Sequence, residues 1–279
     1  MDLAAVQALA ASISPWLYGF GAAAIILETV FLVVTKTERD VASRRLGISC
    51  GLLGFGTEAL VKVGVGLAAL LWVYEHRVMD LGFGWHAWLV AFLANDLMFY
   101  VSHRASHEVR LLWAVHVVHH SAKHYDLTTG VRGSALGVLT TLPFYAWIPL
   151  VGVHPVVMLL VHQIFNFYGL AYHTEYVRRM GPLEAVIVTP SSHRVHHATN
   201  PQYIDRNYGG FFILFDRLFG TFVPEEEPCV YGLKKDWHSY SLWDAQVHEF
   251  RDIWRDVRGA TSVREAVGYV LGPPGWRPG

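Results

Sequence analysis

Histidines in three short blocks are the feature of this sequence with the clearest capacity for chemistry. The chain contains 16 histidines, and the blocks have the spacings HX3H, HX2HH and HX2HH. Positions three or four residues apart lie on the same side of a helix, so each block is predicted to present convergent imidazoles on one face. The block histidines are His103, His107, His116, His119, His120, His193, His196 and His197.

Convergent imidazoles are typical metal ligands, and this number exceeds what one ion can use. A structural zinc ion takes four ligands and a catalytic one takes three from the protein, so two metal ions are predicted. Imidazole binds zinc, copper, iron and nickel alike, and the ligand type alone does not choose the metal. Thiolates are not expected to contribute, because the two cysteines, Cys50 and Cys229, lie in a hydrophobic stretch and in a polar tail.

Other polar side chains near the blocks could orient the imidazoles through their second ring nitrogen. Each could equally serve as a helix cap or form a local hydrogen bond. The candidates are Asp96, Glu108, Asp126 and Asn166. His124 and His162 are expected to stay outside the metal coordination, and the pattern assigns no role to Glu28.

The composition of the chain indicates a membrane protein. Hydrophobic residues make up 53% and charged residues 16%, whereas soluble domains carry about 25% charged residues. The formal net charge of −1 gives no basic field that would attract nucleic acid. We therefore expect an all-α, polytopic integral membrane protein with about four or five membrane helices and a cytosolic, histidine-rich helical cap.

Five hydrophobic stretches are predicted to be membrane helices, at 16–35, 47–74, 84–102, 134–151 and 154–172. The last two are joined by a tight turn at 152–155. Within the second stretch, Glu58 and Lys62 have the spacing of a helical ion pair. The chain is divided into N-terminal membrane helices (1–80), a metal-binding domain (81–232) and a cytosolic tail (233–279), in which Leu242, Phe250, Ile253, Trp254 and Val257 predict an amphipathic helix that packs on the domain.

Basic residues predict how the chain is oriented in the membrane. Lys36, Arg39, Arg44 and Arg45 follow the first hydrophobic stretch, which places this link in the cytoplasm by the positive-inside rule. Alternation of the spans then puts the histidine blocks on the cytoplasmic face and the N-terminus outside. The first 14 residues lack the basic start of a signal peptide, so the first stretch is expected to be retained as an anchor.

The order of these motifs resembles the fatty acid hydroxylase / sterol desaturase superfamily of integral-membrane di-iron oxygenases. Within it, the motifs around Glu108, around Thr174 and over 204–210 are similar to those of the alkylglycerol monooxygenases. The resemblance implies two Fe2+ ions and adds His173 as a ninth ligand. The chain departs from the monooxygenase pattern at His124, Asp126 and Ser192.

The resemblance also implies that O2 and an external reductant are used to oxidise a lipid C–H bond. Hydroxylation, ether-lipid cleavage and desaturation all stay open. The sequence has neither a strand-then-GxGxxG fingerprint nor a cysteine set for an iron–sulfur cluster. Tetrahydrobiopterin, as in the monooxygenases, or a ferredoxin or cytochrome partner could supply the electrons. A divalent-metal transporter and a di-zinc hydrolase are the competing interpretations.

Overall fold

The computed structural model describes residues 1–35, 40–235 and 237–278. Regular structure in these residues is helical, and the only strand-like pairings among them are two isolated bridges, Ile187 with Phe212 and Ala198 with Tyr231. The all-α prediction is confirmed. Lys36 and Arg39, on which the predicted orientation partly depends, lie outside the described residues.

The α-helices of the described part are numbered in chain order. They are α1 (Leu3–Val34), α2 (Val41–Val61), α3 (Leu67–Glu75), α4 (Trp85–Glu108), α5 (Arg110–His120), α6 (Leu127–Val131), α7 (Gly137–Tyr145), α8 (Pro155–Ala171), α9 (Pro190–His197), α10 (Leu214–Leu218), α11 (Leu242–Arg258) and α12 (Val263–Leu271).

Two helical stretches are long and apolar enough to cross a membrane, Leu3–Val34 and Val41–Glu75. In the second stretch α2 continues into α3 through a π-helical turn at Lys62–Gly66. At about 1.5 Å per residue both exceed the roughly 30 Å of a bilayer core. Helices also occupy the other three predicted spans, but a count above two stays a prediction.

Two local predictions agree with the structure. Glu58 and Lys62 form the predicted ion pair. The 152–155 turn is present and places Gly152 at φ 96°, where a Cβ would lie 2.4 Å from the carbonyl oxygen of Met79. Only glycine fits a left-handed position with that close approach.

The core that supports the histidines is formed where α4 packs against α8 and α7. Ala91, Tyr145 and Val157 are among its buried side chains. Helix α2 packs on α6, and a buried ion pair joins Arg44 Nε to Asp126 Oδ2 at 3.2 Å. Arg44 is therefore a buried residue of α2. The predicted membrane orientation had counted it as a charge in the link after the first hydrophobic stretch.

The C-terminal helix α11 packs on α5 as predicted, and α12 adds to this contact. Arg110 Nε lies 2.8 Å from Glu249 Oε1, and Arg110 Nη1 lies 2.6 Å from Asp256 Oδ2. Ile253 is buried, but Trp254 is 64% exposed, so its predicted place on the packed face is wrong. Adjacent positions differ by about 100° around a helix, and both cannot face the same neighbour.

Candidate metal centre

Four segments of the chain bring nine histidines together in one buried volume. The C-terminal end of α4 supplies two, α5 supplies three, α9 supplies three, and one follows the end of α8. Helices α4 and α8 pack side by side, and His193 contacts both His103 of α4 and His173 after α8, so the histidine-bearing ends of the two helices lie at the same end of the helical core. The histidines divide into two groups, and within each group the potential ligand atoms lie within 4.8 Å of one another.

The first group consists of five histidines: His103, His107, His116, His120 and His196. The Nε2 of His116 lies 3.1 Å from that of His103 and 3.2 Å from that of His120. The Nε2 of His196 lies 3.1 Å from that of His120. The Nε2 of His107 is buried and has no hydrogen-bond partner among the described residues.

The second group consists of four histidines: His119, His173, His193 and His197. The Nε2 of His173 lies 3.3, 3.1 and 3.2 Å from those of His119, His193 and His197, respectively. The Nε2 atoms of His193 and His197 are 3.2 Å apart. Four ring nitrogens thus meet at one point.

Each HX2HH block contributes to both groups, which differs from the predicted single convergent face. His116 and His120 belong to the first group and His119 to the second; His193 and His197 belong to the second and His196 to the first. On a helix, residues four apart are offset by about 40°, whereas a residue three from the first lies about 60° to the other side. The pairs spaced by four therefore stay together, and the third imidazole turns to the neighbouring group.

Backbone carbonyls fix the orientation of four of these imidazoles. The Nδ1 atoms of His103, His119, His173 and His196 lie 3.0, 3.3, 2.6 and 2.9 Å from the carbonyl oxygens of Tyr208, Arg132, Gly169 and Arg206. A carbonyl oxygen only accepts a hydrogen bond, so each Nδ1 carries the proton. The Nε2 atom of each ring then bears a lone pair that faces its neighbours.

This arrangement of ring nitrogens suits the binding of metal cations. His119 and His173 both carry the proton on Nδ1, yet their Nε2 lone pairs face each other at 3.3 Å. Burial lowers the pKa of His119 to about 4 and that of His116 well below its usual value, which keeps the rings neutral. Nitrogens about 2.1 Å from a metal, separated by angles of 90–110°, lie about 3.0–3.4 Å apart. The observed spacings fit a metal ion in each group.

Asp96 and Glu108 make contacts other than those predicted for them. The carboxylate of Asp96 accepts hydrogen bonds from the backbone N–H groups of Phe211 at 2.8 Å and Phe212 at 3.2 Å. Glu108 Oε1 accepts from Arg104 Nε at 2.7 Å, and both side chains are partly exposed. Asp96 therefore fixes the loop after Tyr208 to α4, and Glu108 forms a local pair one turn along the helix.

Asp126 and Asn166 also lie apart from the imidazoles. Asp126 is the N-cap of α6, where its Oδ1 accepts from the backbone N–H of Thr128, and it pairs with Arg44. Asn166 is exposed on α8. The predicted role of these carboxylates and this amide in orienting imidazoles is replaced by backbone carbonyls, which need no particular side chain.

His124 and His162, which were expected to stay outside the metal coordination, lie outside both groups, as does His154. His162 Nδ1 is 3.1 Å from Asn95 Oδ1, and His154 caps α8. His124 borders a small pocket beside Arg44. Glu28, which had no predicted role, accepts a hydrogen bond from the backbone N–H of Leu127 at 2.8 Å.

An open, largely apolar cleft of about 560 Å³ lies between α1 and the start of α6. Leu27, Phe31 and Leu127 line it, together with Ala171 and Thr174. Ala171 and Thr174 are two residues before and one residue after His173 in the sequence.

Comparisons with known proteins identify similar chains. Residues 88–221 match the family model described as fatty acid hydroxylase. Alkylglycerol monooxygenase of Danio rerio is 35% identical over 236 residues, which are 83% of this chain and 52% of that protein. Ornithine lipid hydroxylase OlsE of Rhizobium tropici is 34% identical over 137 residues (46% of this chain, 39% of the relative). Delta(7)-sterol 5(6)-desaturase of Eremothecium gossypii is 29% identical over 178 residues (62% and 47%).

The chain spans about half the length of the alkylglycerol monooxygenases it matches. No solved structure matches the chain.

Proposed function

Because this chain belongs to the fatty acid hydroxylase family through residues 88–221, we propose that it is a membrane-bound di-iron oxygenase. In this proposal it hydroxylates a lipid C–H bond with O2 and an external reductant. The observation that carries the proposal is the convergence of nine buried histidines in two groups, each with Nε2 atoms 3.1–3.3 Å apart.

The residues that would hold the first iron ion are His103, His107, His116, His120 and His196, and those that would hold the second are His119, His173, His193 and His197. When bound, two ferrous ions supply the capacity to reduce O2 and to oxidise an unactivated C–H bond. The protein contributes neutral imidazoles in a fixed tautomer and a buried site from which bulk water is excluded.

The proposed reaction consumes one O2, two electrons and two protons. One oxygen atom enters the substrate as a hydroxyl group in place of hydrogen, and the other leaves as water. The electrons come from a donor outside the described residues. Tetrahydrobiopterin is the candidate that the monooxygenase likeness suggests, and a ferredoxin or cytochrome partner is the alternative.

The lipid would approach from the membrane side of the centre. The cleft lined by Leu27, Phe31 and Leu127 is largely apolar, and its lining includes Ala171 and Thr174, which are close to His173 in the sequence. An acyl or alkyl chain can occupy such a cleft without exposure to water, so burial of its methylenes supplies the binding energy. We propose that the acyl or alkyl chain of the lipid enters through this cleft and that its reacting carbon lies beyond Thr174.

The proposed domain division and membrane topology are those that the sequence predicts. N-terminal helices at 1–80 hold the protein in the membrane, 81–232 form the hydroxylase domain with its histidines on the cytoplasmic face, and 233–279 form the cytosolic tail. The N-terminus lies outside. Labelling of single introduced cysteines in intact cells by a membrane-impermeant reagent tests this topology.

Anaerobic reconstitution with Fe2+ tests the function. We expect about two iron ions per chain and, once O2, reductant and lipid are added, O2 uptake that depends on the lipid. Mass spectrometry of the lipid then distinguishes three outcomes: gain of one oxygen (hydroxylation), loss of two hydrogens (desaturation) and release of an aldehyde through a hemiacetal (ether cleavage). Turnover without O2, as in a hydrolase, or metal transport without lipid oxidation would overturn the proposal.

A further inference from the structure

We infer that the segment 205–208 positions the histidines of the first group and not those of the second. The inference rests on the proposed two-ion centre and assigns to this segment a role that the histidine motifs do not contain. It concerns the residues that orient the ligands, which are separate from the ligands themselves.

Three of the five histidines of the first group contact this segment. The Nδ1 of His107 lies 3.5 Å from Asp205 Oδ1. The Nδ1 of His196 donates to the carbonyl oxygen of Arg206 at 2.9 Å, and the Nδ1 of His103 donates to that of Tyr208 at 3.0 Å. One short stretch of chain thus fixes the tautomer and the direction of ligands from two different helices, α4 and α9.

The backbone of the segment has an uncommon conformation that makes this possible. Asp205 and Asn207 have φ values of 58° and 56°, and they are the non-glycine residues with positive φ in the described part of the chain. Such a conformation persists only where surrounding contacts maintain it. Its left-handed positions redirect the chain, so that Asp205 reaches α4, Arg206 reaches α9 and Tyr208 reaches α4 again.

Asn207 supplies the contacts that maintain the conformation. Its side chain is buried; Nδ2 donates to the carbonyl oxygens of Ser192 at 2.9 Å and Val223 at 2.8 Å, and Oδ1 accepts from the backbone N–H of Val223 at 2.8 Å. The bond to Ser192 ties the segment directly to α9. Asp216 Oδ1 accepts from the backbone N–H of Tyr208 at 2.7 Å and fixes the other end.

The second group has no contact of this kind with the segment. Its Nδ1 donors His119 and His173 use the carbonyl oxygens of Arg132 and Gly169. Loss of the 205–208 contacts should therefore weaken one ion and spare the other. Outer-shell contacts of metal-bound histidines typically contribute 10–100-fold to metal affinity.

The test is titration of the metal-free full-length protein in detergent with Co2+, whose visible absorption reports its ligands. Asp205→Gly and Asn207→Gly remove the side chains but tolerate the left-handed backbone, so neither introduces strain. We expect both variants to bind one Co2+ about 10–100-fold more weakly than wild type and the other with unchanged affinity. Asp205→Asn, which keeps an oxygen near His107, should lie closer to wild type.

Glu226→Gln is the matched control, because it removes an exposed carboxylate that makes no contact with the histidines, and it should behave as wild type. Two bound ions of unchanged affinity in both glycine variants would overturn the positioning role alone. A wild-type protein that binds one Co2+ or none would overturn the two-ion centre and this role with it.

Discussion

At the scale of single residues, the division of the histidines into two groups means that each metal site can be removed separately by substitution of one ligand. His119 belongs to the second group and His196 to the first, although each lies in a block shared by both. We expect His119→Ala and His196→Ala each to lower the iron content from about two to about one per chain and to abolish lipid oxidation. Iron analysis after anaerobic reconstitution and desalting measures this.

The control for both variants is His86→Ala, because His86 is exposed at the start of α4 and its Nε2 contacts the carbonyl oxygen of Leu81. It should retain wild-type iron and activity. Full iron retention in His119→Ala or His196→Ala would contradict the ligand assignment.

Acidification of the metal-free protein is a second residue-scale prediction. Burial lowers the pKa of His119 from about 6.5 to about 4. Above pH 6.5 the ring is neutral in both folded and unfolded chains, and its contribution to stability does not change. Between pH 6.5 and 4 the unfolded chain binds the proton more readily, so the free energy of unfolding falls by about 1.4 kcal/mol per pH unit for this histidine.

The pKa values of the other buried ligands are also lowered, as for His116 and His120, so their protonation acts on stability in the same direction as that of His119. The thermal midpoint of the metal-free protein should therefore drop steeply from pH 7 to 5. A flat profile over this range would mean that the imidazoles are not held neutral by burial.

At the scale of elements, the approach of α2 to α6 controls the position of the second group. A Cβ at Gly51 would lie 2.8 Å from the carbonyl oxygen of Val131, and one at Gly47 would lie 2.9 Å from that of Thr128. Backbone atoms cannot move aside as a flexible side chain can. Glycines four apart are a common device for close helix packing in membranes.

Gly51→Ala should therefore separate the two helices and lower stability by about 1–3 kcal/mol. Because Gly130 of α6 lies against His173, the variant should also weaken metal binding in the second group. Gly56→Ala is the control on the same helix: a Cβ there meets nothing within 4 Å, and the helix propensity of alanine should stabilise it by about 0.5–1 kcal/mol. Thermal unfolding in detergent measures the difference. Equal midpoints for Gly51→Ala and Gly56→Ala would contradict the close packing of α2 on α6.

The sequence predicted the presence of the helices more accurately than the residues at which they begin and end. Hydropathy located α4 and α8, and histidine spacing predicted two metal ions, because both patterns depend on side-chain type. Helix α1 begins at Leu3, not near residue 16, since Asp2 caps an alanine-rich turn that hydropathy alone does not mark as part of a span. Helix α12 was missed because its nine residues are too short for a clear helical pattern of apolar residues.

The contacts around the ligands could not be predicted in the same way. Asp96, Glu108 and Asp126 were the expected carboxylate partners of the imidazoles, whereas four of the imidazoles use the carbonyl oxygens of Tyr208, Arg132, Gly169 and Arg206. Every residue has a carbonyl group, so no residue type indicates this role. The one signal was the Asp205-to-Asn207 stretch, because Asp and Asn are the residues that most readily adopt positive φ.

At the scale of the whole molecule, the two groups connect parts of the chain that are distant in sequence. The first group joins α4, α5 and α9, and the second joins α5, α9 and the chain after α8. Without cations, the Nε2 lone pairs of His119 and His173 face one another at 3.3 Å in the second group and repel. Metal binding removes this repulsion and links the helices, so its free energy becomes folding free energy.

Removal of metal should therefore destabilise the entire domain. At a free-metal concentration 100 times the dissociation constant, one site adds about 2.7 kcal/mol, which corresponds to a thermal shift of several degrees in a chain of this size. We expect chelation to lower the thermal midpoint in detergent, re-addition of Fe2+ or Co2+ to restore it, and His196→Ala to show a smaller shift because one site is lost. A midpoint that is independent of metal in wild type would contradict the binding of metal at these histidines in the folded protein.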